Sequence, residues 1–428
     1  MTRRPDTPMR EGADPPAIRG GQDSRVIQGD VLDVLRDLPG SCIQAAITSP
    51  PYWGLRDYRL PPTTWGGDPA CRHRWDPSGK GRLCRRCGAW KGCLGLEPDP
   101  DLYVAHLVEV MREVRRCLRP DGTLWLNLGD SFAAAPTSGT GPDADAGLRF
   151  GPDLKTKDLV GIPWRVAFAL QADGWWLRAE NIWNKPNAMP ESVRDRPTRA
   201  HEYVFLLSPS ARYFYDDFAV REPDKGGCSG NGYARPQRLS FTDATGPRGQ
   251  AEPWVGGGGR NRRSVWTIAT QCFRGAHFAT FPEALVEVCV LAGTSPVACH
   301  RCGTPWRRVV ESRRLLDGKH ELSGSWASDS DRMASGRSLK ATGYSHSRVS
   351  VRRETVGWAS GCGHDDPGAR CTVLDPFAGS GTTGLVAARH GRDFVGAELS
   401  RRYTRMARTR LHEGGAAGRK PAPRRRAR

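Results

Sequence analysis

Six consecutive residues, Thr48-Ser49-Pro50-Pro51-Tyr52-Trp53, put a hydroxyl, free carbonyls and two aromatic rings on a backbone stiffened by two prolines. They follow the apolar run 43–47, which reads as a buried strand. Neither proline can donate to a sheet ladder, so the strand stops at Ser49 and the loop projects from its carboxyl end. Open α/β sheets bind ligands at that end of their strands. A second chemically pointed stretch lies near the other end of the chain: Asp375-Pro376-Phe377-Ala378-Gly379-Ser380-Gly381-Thr382-Thr383-Gly384. Gly379 and Gly381 let a ligand approach the backbone, and a helix beginning there favours a carboxylate or phosphate. No Lys follows the last glycine, which excludes a Walker-type phosphate loop. Glu398 closes the strand that follows, where an acid can hydrogen-bond ribose hydroxyls.

Two further sets have the residue types of metal sites. Cys71-x-His73 with Cys84-x-x-Cys87 offers four ligands at zinc-ribbon-like spacing. The surrounding stretch is poor in apolar residues, so a metal would supply the folding energy that a core cannot. Cys299-x-x-Cys302 with Cys362-x-His364 repeats the pattern in mirrored order, with Cys371 as a rival for the fourth place. The ligand pairs are 59 residues apart in the second set and 10 in the first. Loop closure grows only logarithmically with length, so the longer gap costs about 1.6 kcal/mol more. A structural zinc is worth about 10–16 kcal/mol, which exceeds that cost.

The elements that must hold these residues alternate in βαβ rhythm. Residues 25–30 read as a short strand ending in Gly29-Asp30, 31–38 as a helix and 43–48 as a strand. After the Cys-containing block 56–97, residues 102–118 carry a helical apolar stripe. Pro120-Asp121-Gly122 reads as a turn before a strand at 123–128. A helix at 162–172 and strands at 175–183 and 202–207 follow, and then a helix from Phe281-Pro282 to Leu291. The last unit is a strand at 372–375, the glycine turn, a helix at 383–390, a strand at 393–397 and a basic helix from 401 to about 412. Residues 1–24, 133–153, 311–358 and the C-terminal tail are polar and aperiodic and read as loops or disordered tails.

With 428 residues the chain is long enough for two or three domains, or for one domain with large insertions. A net charge of +18, from 64 Lys+Arg against 46 Asp+Glu, favours a polyanionic partner. No run is long and apolar enough for a membrane span, and the N-terminus has no apolar signal region, so a cytoplasmic, nucleoid-associated location is expected. Thirteen cysteines, an odd number, point to thiols and metal ligands rather than a disulfide framework.

Asp375-Pro376-Phe377-x-Gly379-Ser380-Gly381-Thr382-Thr383 together with Ser49-Pro50-Pro51-Tyr52 resembles the amino-group DNA methyltransferases that use S-adenosylmethionine. The loop comes first and the cofactor turn last, the order of the permuted beta class of that family. Gly29-Asp30, Trp183-Asn184-Lys185-Pro186, the stretch 196–202 and His277-Phe278-Ala279-Thr280-Phe281-Pro282 fit as well, so the resemblance covers roughly 25–296 and 372–412. It implies an α/β, Rossmann-like methyltransferase sheet of seven strands, one antiparallel, circularly permuted, here with two zinc-ribbon-like insertions. By the same resemblance, Ser49 and the Pro50 carbonyl accept the hydrogens of an exocyclic amino group, with Pro51 in the same loop and Tyr52 stacked on the flipped base. Asp375 contacts the amino-acid end of S-adenosylmethionine, Phe377, Gly379, Gly381 and Thr382 line it, Glu398 takes the ribose and Asp30 the adenine, with Phe281 packed nearby. Taken alone, Asp30 reads as a helix N-cap and Phe281 as core.

The expected organisation is a tail (1–24), catalytic parts at 25–55, 98–220 and 264–296, and zinc-binding insertions at 56–97 and 297–371. A target-recognition region (221–263), a cofactor-binding part (372–412) and a basic tail (413–428) complete it. Arg235, Arg238, Arg248, Arg260, Arg262 and Arg263 are its candidate contacts to phosphates or guanine edges. Ser at the first loop position favours N4 of cytosine as target in this family, and N6 of adenine is the alternative. An RNA or protein amide methyltransferase, and a zinc-ribbon nucleic-acid binder on an inactive scaffold, are the rival classes. Expected partners are S-adenosylmethionine, double-stranded DNA and zinc, with a cognate restriction endonuclease as a candidate and a prokaryotic or phage origin.

Overall fold

The computed structural model describes residues 24–76, 82–133, 154–223, 259–271, 281–316 and 349–417. Expectations for the N-terminal tail to 23, for 134–153, for most of 221–263, for 317–348 and for the tail from 418 lie outside these residues. The first half of the chain forms β1 (Arg25–Gln28), α1 (Val31–Arg36), β2 (Ile43–Thr48), β3 (Thr63–Trp65), β4 (Arg82–Leu83), β5 (Trp90–Gly92), α2 (Pro100–Cys117), β6 (Leu118–Leu128), α3 (Ile162–Ala172), β7 (Trp176–Asn184) and β8 (His201–Ser208). The second half adds β9 (Val265–Thr267), α4 (Glu283–Gly293), β10 (Arg307–Leu316), β11 (Val349–Ala359), β12 (Thr372–Asp375), α5 (Thr382–Arg389), β13 (Asp393–Glu398) and α6 (Arg401–Ala417).

Two compact units make up the chain. The larger holds Met1–Val220, Arg263–Arg308 and Trp358–Arg428. The smaller holds Arg221–Arg262 and Val309–Gly357, so most of the expected target-recognition region belongs to a unit of its own. Within it, Glu222 and Arg260 form an isolated bridge and an ion pair, which occupies one of the candidate DNA-contacting arginines.

In the larger unit, an eight-stranded sheet runs in the order β1-β13-β12-β2-β6-β8-β7-β9. All pairings are parallel except β6 with β8 and β8 with β7, so β8 alone runs against the rest. The expected seven strands become eight because Val265–Thr267 adds a parallel edge strand to β7. Three residues are too few to show a strand pattern in the sequence. The expected permutation is present: β12 pairs with β2 through Val373 opposite Ala45 and Leu374 opposite Ala46, and β13 pairs with β1. The two ends of the chain therefore share one sheet.

β2 is buried along its whole length, as a central strand of a parallel sheet must be. Residues facing one side of the sheet, among them Ala46, Leu124, Leu126 and Phe205, pack in one core with α1, α2 and α3. The alternate residues Ile47, Trp125, Val204 and Leu206 pack in a second core with α4, α5 and α6. This alternation gives three layers, helices on both sides of the sheet. Pro120-Asp121-Gly122 is not a turn: β6 runs through it, and its register against β2 jumps from Ile43–Leu118 to Ala45–Thr123. The extra residues form a bulge, which keeps the strand continuous despite a proline and a glycine. The expected loop at 311–358 is paired at both ends, because β10 and β11 form a two-stranded sheet. α6 extends five residues past the expected end, to Ala417.

Candidate active site

β2 ends at Thr48 and the two prolines turn the chain out of the sheet. The loop beyond is fixed by its own residues. Trp53 is almost fully buried and its indole N–H donates to the Glu97 carbonyl at 3.0 Å. Tyr103 O–H donates to the Pro51 carbonyl at 2.8 Å, and Gly54 N–H to the Gly95 carbonyl at 2.9 Å. A carbonyl so occupied is an anchor for the loop. Gly129 sits under the Tyr52 ring, where a Cβ would stand 2.7 Å from a ring carbon. Only glycine lets that ring lie so close to the end of β6.

The polar ends of the loop's neighbours converge on it. Ser49 O–H donates to Tyr52 Oη at 3.0 Å and Tyr52 O–H donates to Glu202 Oε2 at 2.7 Å. Asn127 Nδ2 donates to Tyr52 Oη at 2.8 Å and to Glu202 Oε2 at 2.9 Å. Lys185 forms an ion pair with the other Glu202 oxygen and lies 4.4 Å over the Trp183 ring. Burial, reinforced by the Glu202 charge, pushes the Tyr52 hydroxyl well above its ordinary pKa, so the phenol stays neutral. The Asn127 Oδ1 atom is buried with no partner among the described residues. Lys185 and Glu202 lie in stretches that fit the family resemblance but carry no role of their own there, and Asn127 was not singled out by its sequence context. Asn127 and Lys185 stand at or just past the carboxyl ends of β6 and β7, but Glu202 stands at the start of β8. Only the reversed direction of β8 brings that start to the same edge, with Glu202 opposite Trp183 and Tyr203 opposite Leu128.

The glycine turn joins this edge from the far end of the sequence. Asp375, 1% exposed, accepts from Thr48 Oγ1 at 2.6 Å, from Thr383 Oγ1 at 2.7 Å and from Phe377 N–H at 3.1 Å. Burial pushes its carboxyl up from 3.8 to about 6, against the pull of those three donors. Its partners hold the turn shut and tie it to Thr48, the residue before Ser49. Glu398 accepts from Gly379 N–H at 2.8 Å and from Ser400 N–H at 2.7 Å, and burial raises its carboxyl. Gly381, at φ +81°, is left-handed, and a Cβ there would stand 2.8 Å from the Ala407 Cβ in α6. At Gly379 a Cβ would meet nothing nearer than 3.9 Å, so the turn stays open above that residue. Asp30 caps α1 by accepting from Leu32 N–H at 2.9 Å, and Gly29 N–H beside it donates to the Glu398 carbonyl. Phe281 lines a small cavity with Thr48, Asn127 and Trp125. Thr382 opens α5 directly after Gly381, and Phe377 packs at the edge of the first core.

Both Cys/His sets close in space. In each, one ligand atom per residue lies within 4.8 Å of all the others: Cys71, His73, Cys84 and Cys87 in the first, Cys299, Cys302, Cys362 and His364 in the second. Cys71 Sγ lies 4.0 Å from Cys84 Sγ, and Cys87 Sγ 3.4 Å from His73 Nδ1. In the second set, His364 Nδ1 is 3.5 Å from both Cys299 Sγ and Cys362 Sγ. A tetrahedral zinc with bonds of about 2.3 Å to sulfur and about 2.0–2.1 Å to nitrogen needs separations of about 3.8 Å between sulfurs and about 3.6 Å from sulfur to nitrogen. The donor sets fit that ion. Cys371 is not part of the second set: it is fully buried and lies 3.5 Å from Ser295 Oγ. The first set belongs to a three-stranded antiparallel sheet of β3, β5 and β4.

Comparison with known proteins gives the same outline. The profile of the N6/N4 DNA methylase family matches residues 43–299 and 370–409. The chain is 34% identical over 405 residues to the type II methyltransferase M.XycI of Xanthomonas campestris pv. cyanopsidis, covering 93% of this chain and 90% of that one. It is 34% identical to the type II methyltransferase M.Cfr9I of Citrobacter freundii, over 90% and 87% of the two chains. Among solved structures, the PvuII DNA methyltransferase (cytosine-N4-specific) aligns over 92% of this chain and 87% of that one, with 16% identity and a TM-score of 0.46.

Proposed function

The chain belongs to the N6/N4 DNA methylase family, and we propose that it methylates the exocyclic N4 amino group of a cytosine in double-stranded DNA, with S-adenosylmethionine as donor. One observation carries this reading. The Ser49 loop and the Asp375 turn, 327 positions apart between Thr48 and Asp375, are joined by a single buried hydrogen bond. An amino-group acceptor and a cofactor cradle therefore meet at one edge of the sheet.

The residues present fit the donor. Bound S-adenosylmethionine supplies an electrophilic methyl group on a sulfonium. The open space over Gly379, the Glu398 carboxylate beside it, Asp30 next to Glu398, and Phe377, Gly381 and Thr382 along the turn would hold it, with Phe281 at the cavity near Thr48. Asp375 shapes this cradle through its hydroxyl partners and would take the amino-acid end of the donor. Ser49 Oγ and the Pro50 carbonyl accept the hydrogens of the target amino group. That loosens the lone pair from the ring and aims it for in-line attack, so orientation supplies much of the rate. Tyr52 offers its half-buried ring for stacking on the flipped base, which offsets part of the cost of leaving the duplex. A neutral Ser rather than an acid at the first loop position supports cytosine over adenine.

The two Cys/His sets each hold a structural zinc, and a restriction endonuclease reading the same site is the expected partner in the cell. Single-molecule sequencing of DNA exposed to the protein and S-adenosylmethionine tests the reading. N4-methylcytosine at one short sequence is expected. N6-methyladenine would overturn the choice of base, and unmodified DNA would overturn the activity.

A further inference from the structure

The methylated nitrogen must lose a proton, and Ser49 cannot keep one: a hydroxyl is no base at neutral pH. We infer that Ser49, Tyr52 and Glu202 form a proton relay, in which Glu202 is the terminal base for methyl transfer. The inference rests on the methyltransferase reading above.

The direction of the chain of hydrogen bonds is fixed by its end. An ionised carboxylate only accepts, so Tyr52 must donate to Glu202, at 2.7 Å. Tyr52 Oη then accepts from Ser49, at 3.0 Å. Ser49 Oγ accepts from Asn127 Nδ2 at 3.5 Å, which leaves its other lone pair for an amino hydrogen of the base. Asn127 Nδ2 braces both Tyr52 Oη and Glu202 Oε2, and that amide is oriented by the same rule, since only its nitrogen can face a carboxylate. Lys185 holds the far oxygen of Glu202 in an ion pair.

The step balances. The N4 lone pair forms the N–C bond to the methyl carbon as the C–S bond breaks, its electron pair staying on sulfur. The N4 proton passes to Ser49 Oγ, the Ser49 proton to Tyr52 Oη and the Tyr52 proton to Glu202 Oε2. The products are a neutral methylated amine and a thioether. Ser49 and Tyr52 are restored, and protonated Glu202 then releases its proton to water.

Several groups face Glu202: Tyr52 from the loop after β2, uncharged Asn127 from β6, Lys185 beyond β7, and His201 on β8 itself. Burial first, then Arg199 and Lys185, hold His201 below its ordinary value, so it adds no positive charge beside Glu202 at neutral pH. Arg199 is in turn held 3.7 Å from Asp130.

The test is single-turnover methyl transfer at saturating DNA and S-adenosylmethionine, in H2O and in D2O, for the wild type, Glu202→Gln and Tyr52→Phe. Each variant is expected to lose about 100-fold in rate, with S-adenosylmethionine affinity by calorimetry and KM for DNA within about threefold of wild type. The wild-type rate should be lower in D2O than in H2O, and the Glu202→Gln and Tyr52→Phe rates should lose that isotope effect. Wild-type rates in both variants would overturn the relay. So would a loss of rate that leaves the isotope effect in place in Glu202→Gln, which marks a merely structural role. A wild-type protein that methylates no DNA would overturn the functional reading, and the relay with it.

Discussion

Ser49 carries no charge of its own, so its chemistry is set by what it touches. Replacing it with Ala removes the acceptor for the amino hydrogens but none of the anchors of the loop, which are Trp53, Tyr103 and Gly95. Ser49→Ala should therefore lose about 100-fold or more in kcat while S-adenosylmethionine affinity is retained; full activity would contradict the role given to this hydroxyl. Asp375 makes a different prediction. Its folded pKa, about 6, lies above its value of 3.8 in an open chain, so protonation favours the fold. The stability from this group is fully present below the unfolded value and is lost as pH rises through about 6. Against Asp375→Asn, which does not titrate, the cofactor-free wild type should gain stability by roughly 3 kcal/mol at most as pH falls from about 7 to about 4. Urea denaturation at the two pH values measures this, and a difference that does not move with pH would contradict the burial of the carboxylate. Ser49 and Asp375 were legible in the sequence because each lies in a contiguous pattern of prolines or glycines after an apolar run. Asn127 was not, and the meeting of Asn127, Lys185 and Glu202 was not either, since three separate strands come together at their site and one of them runs backwards.

The elements show the same division. Long periodic ones such as α2 and β2 could be read from spacing, and so could the meeting of β12 with β2, given the order of the two motifs. The edge strand β9 and the bulge in β6 could not, because pairing and not local sequence creates them. At the start of α5, Gly381 satisfies both a left-handed backbone and the passage of α6. Gly381→Ala should destabilise the fold by about 2–4 kcal/mol, the sum of a left-handed alanine and a Cβ pressed into Ala407; an unchanged urea midpoint would count against that packing. The Cys/His sets predict their own stoichiometry. The purified protein should hold two zinc ions per chain by elemental mass spectrometry, and Cys84→Ser or Cys362→Ser should each remove one. Full retention of zinc in either variant would contradict its assignment as a ligand.

At the scale of the whole molecule, the chain begins and ends in adjacent strands: β1 pairs with β13, and β12 pairs with β2. The glycine turn lies near the end of the sequence, yet Asp375 in it is one hydrogen bond from Thr48, beside the Ser49 loop. Cutting the chain before β12 would remove two interior strands of the sheet and leave β1 without its neighbour. The net charge of +18 adds a long-range term that attracts a polyanion such as DNA without reading its sequence. Non-specific DNA affinity should therefore fall by about a thousandfold or more between about 50 and about 200 mM salt if six or more phosphates are neutralised. Shallow salt dependence would contradict an electrostatic role for that charge. The central claim, that Ser49 receives the amino group of a cytosine, is tested most directly by nucleoside mass spectrometry. DNA is incubated with the protein and isotopically labelled S-adenosylmethionine, digested and analysed, with Ser49→Ala in parallel. The account predicts labelled N4-methyldeoxycytidine from the wild type and at least about 100-fold less from the variant; label found only in N6-methyldeoxyadenosine, or in no nucleoside, would contradict it.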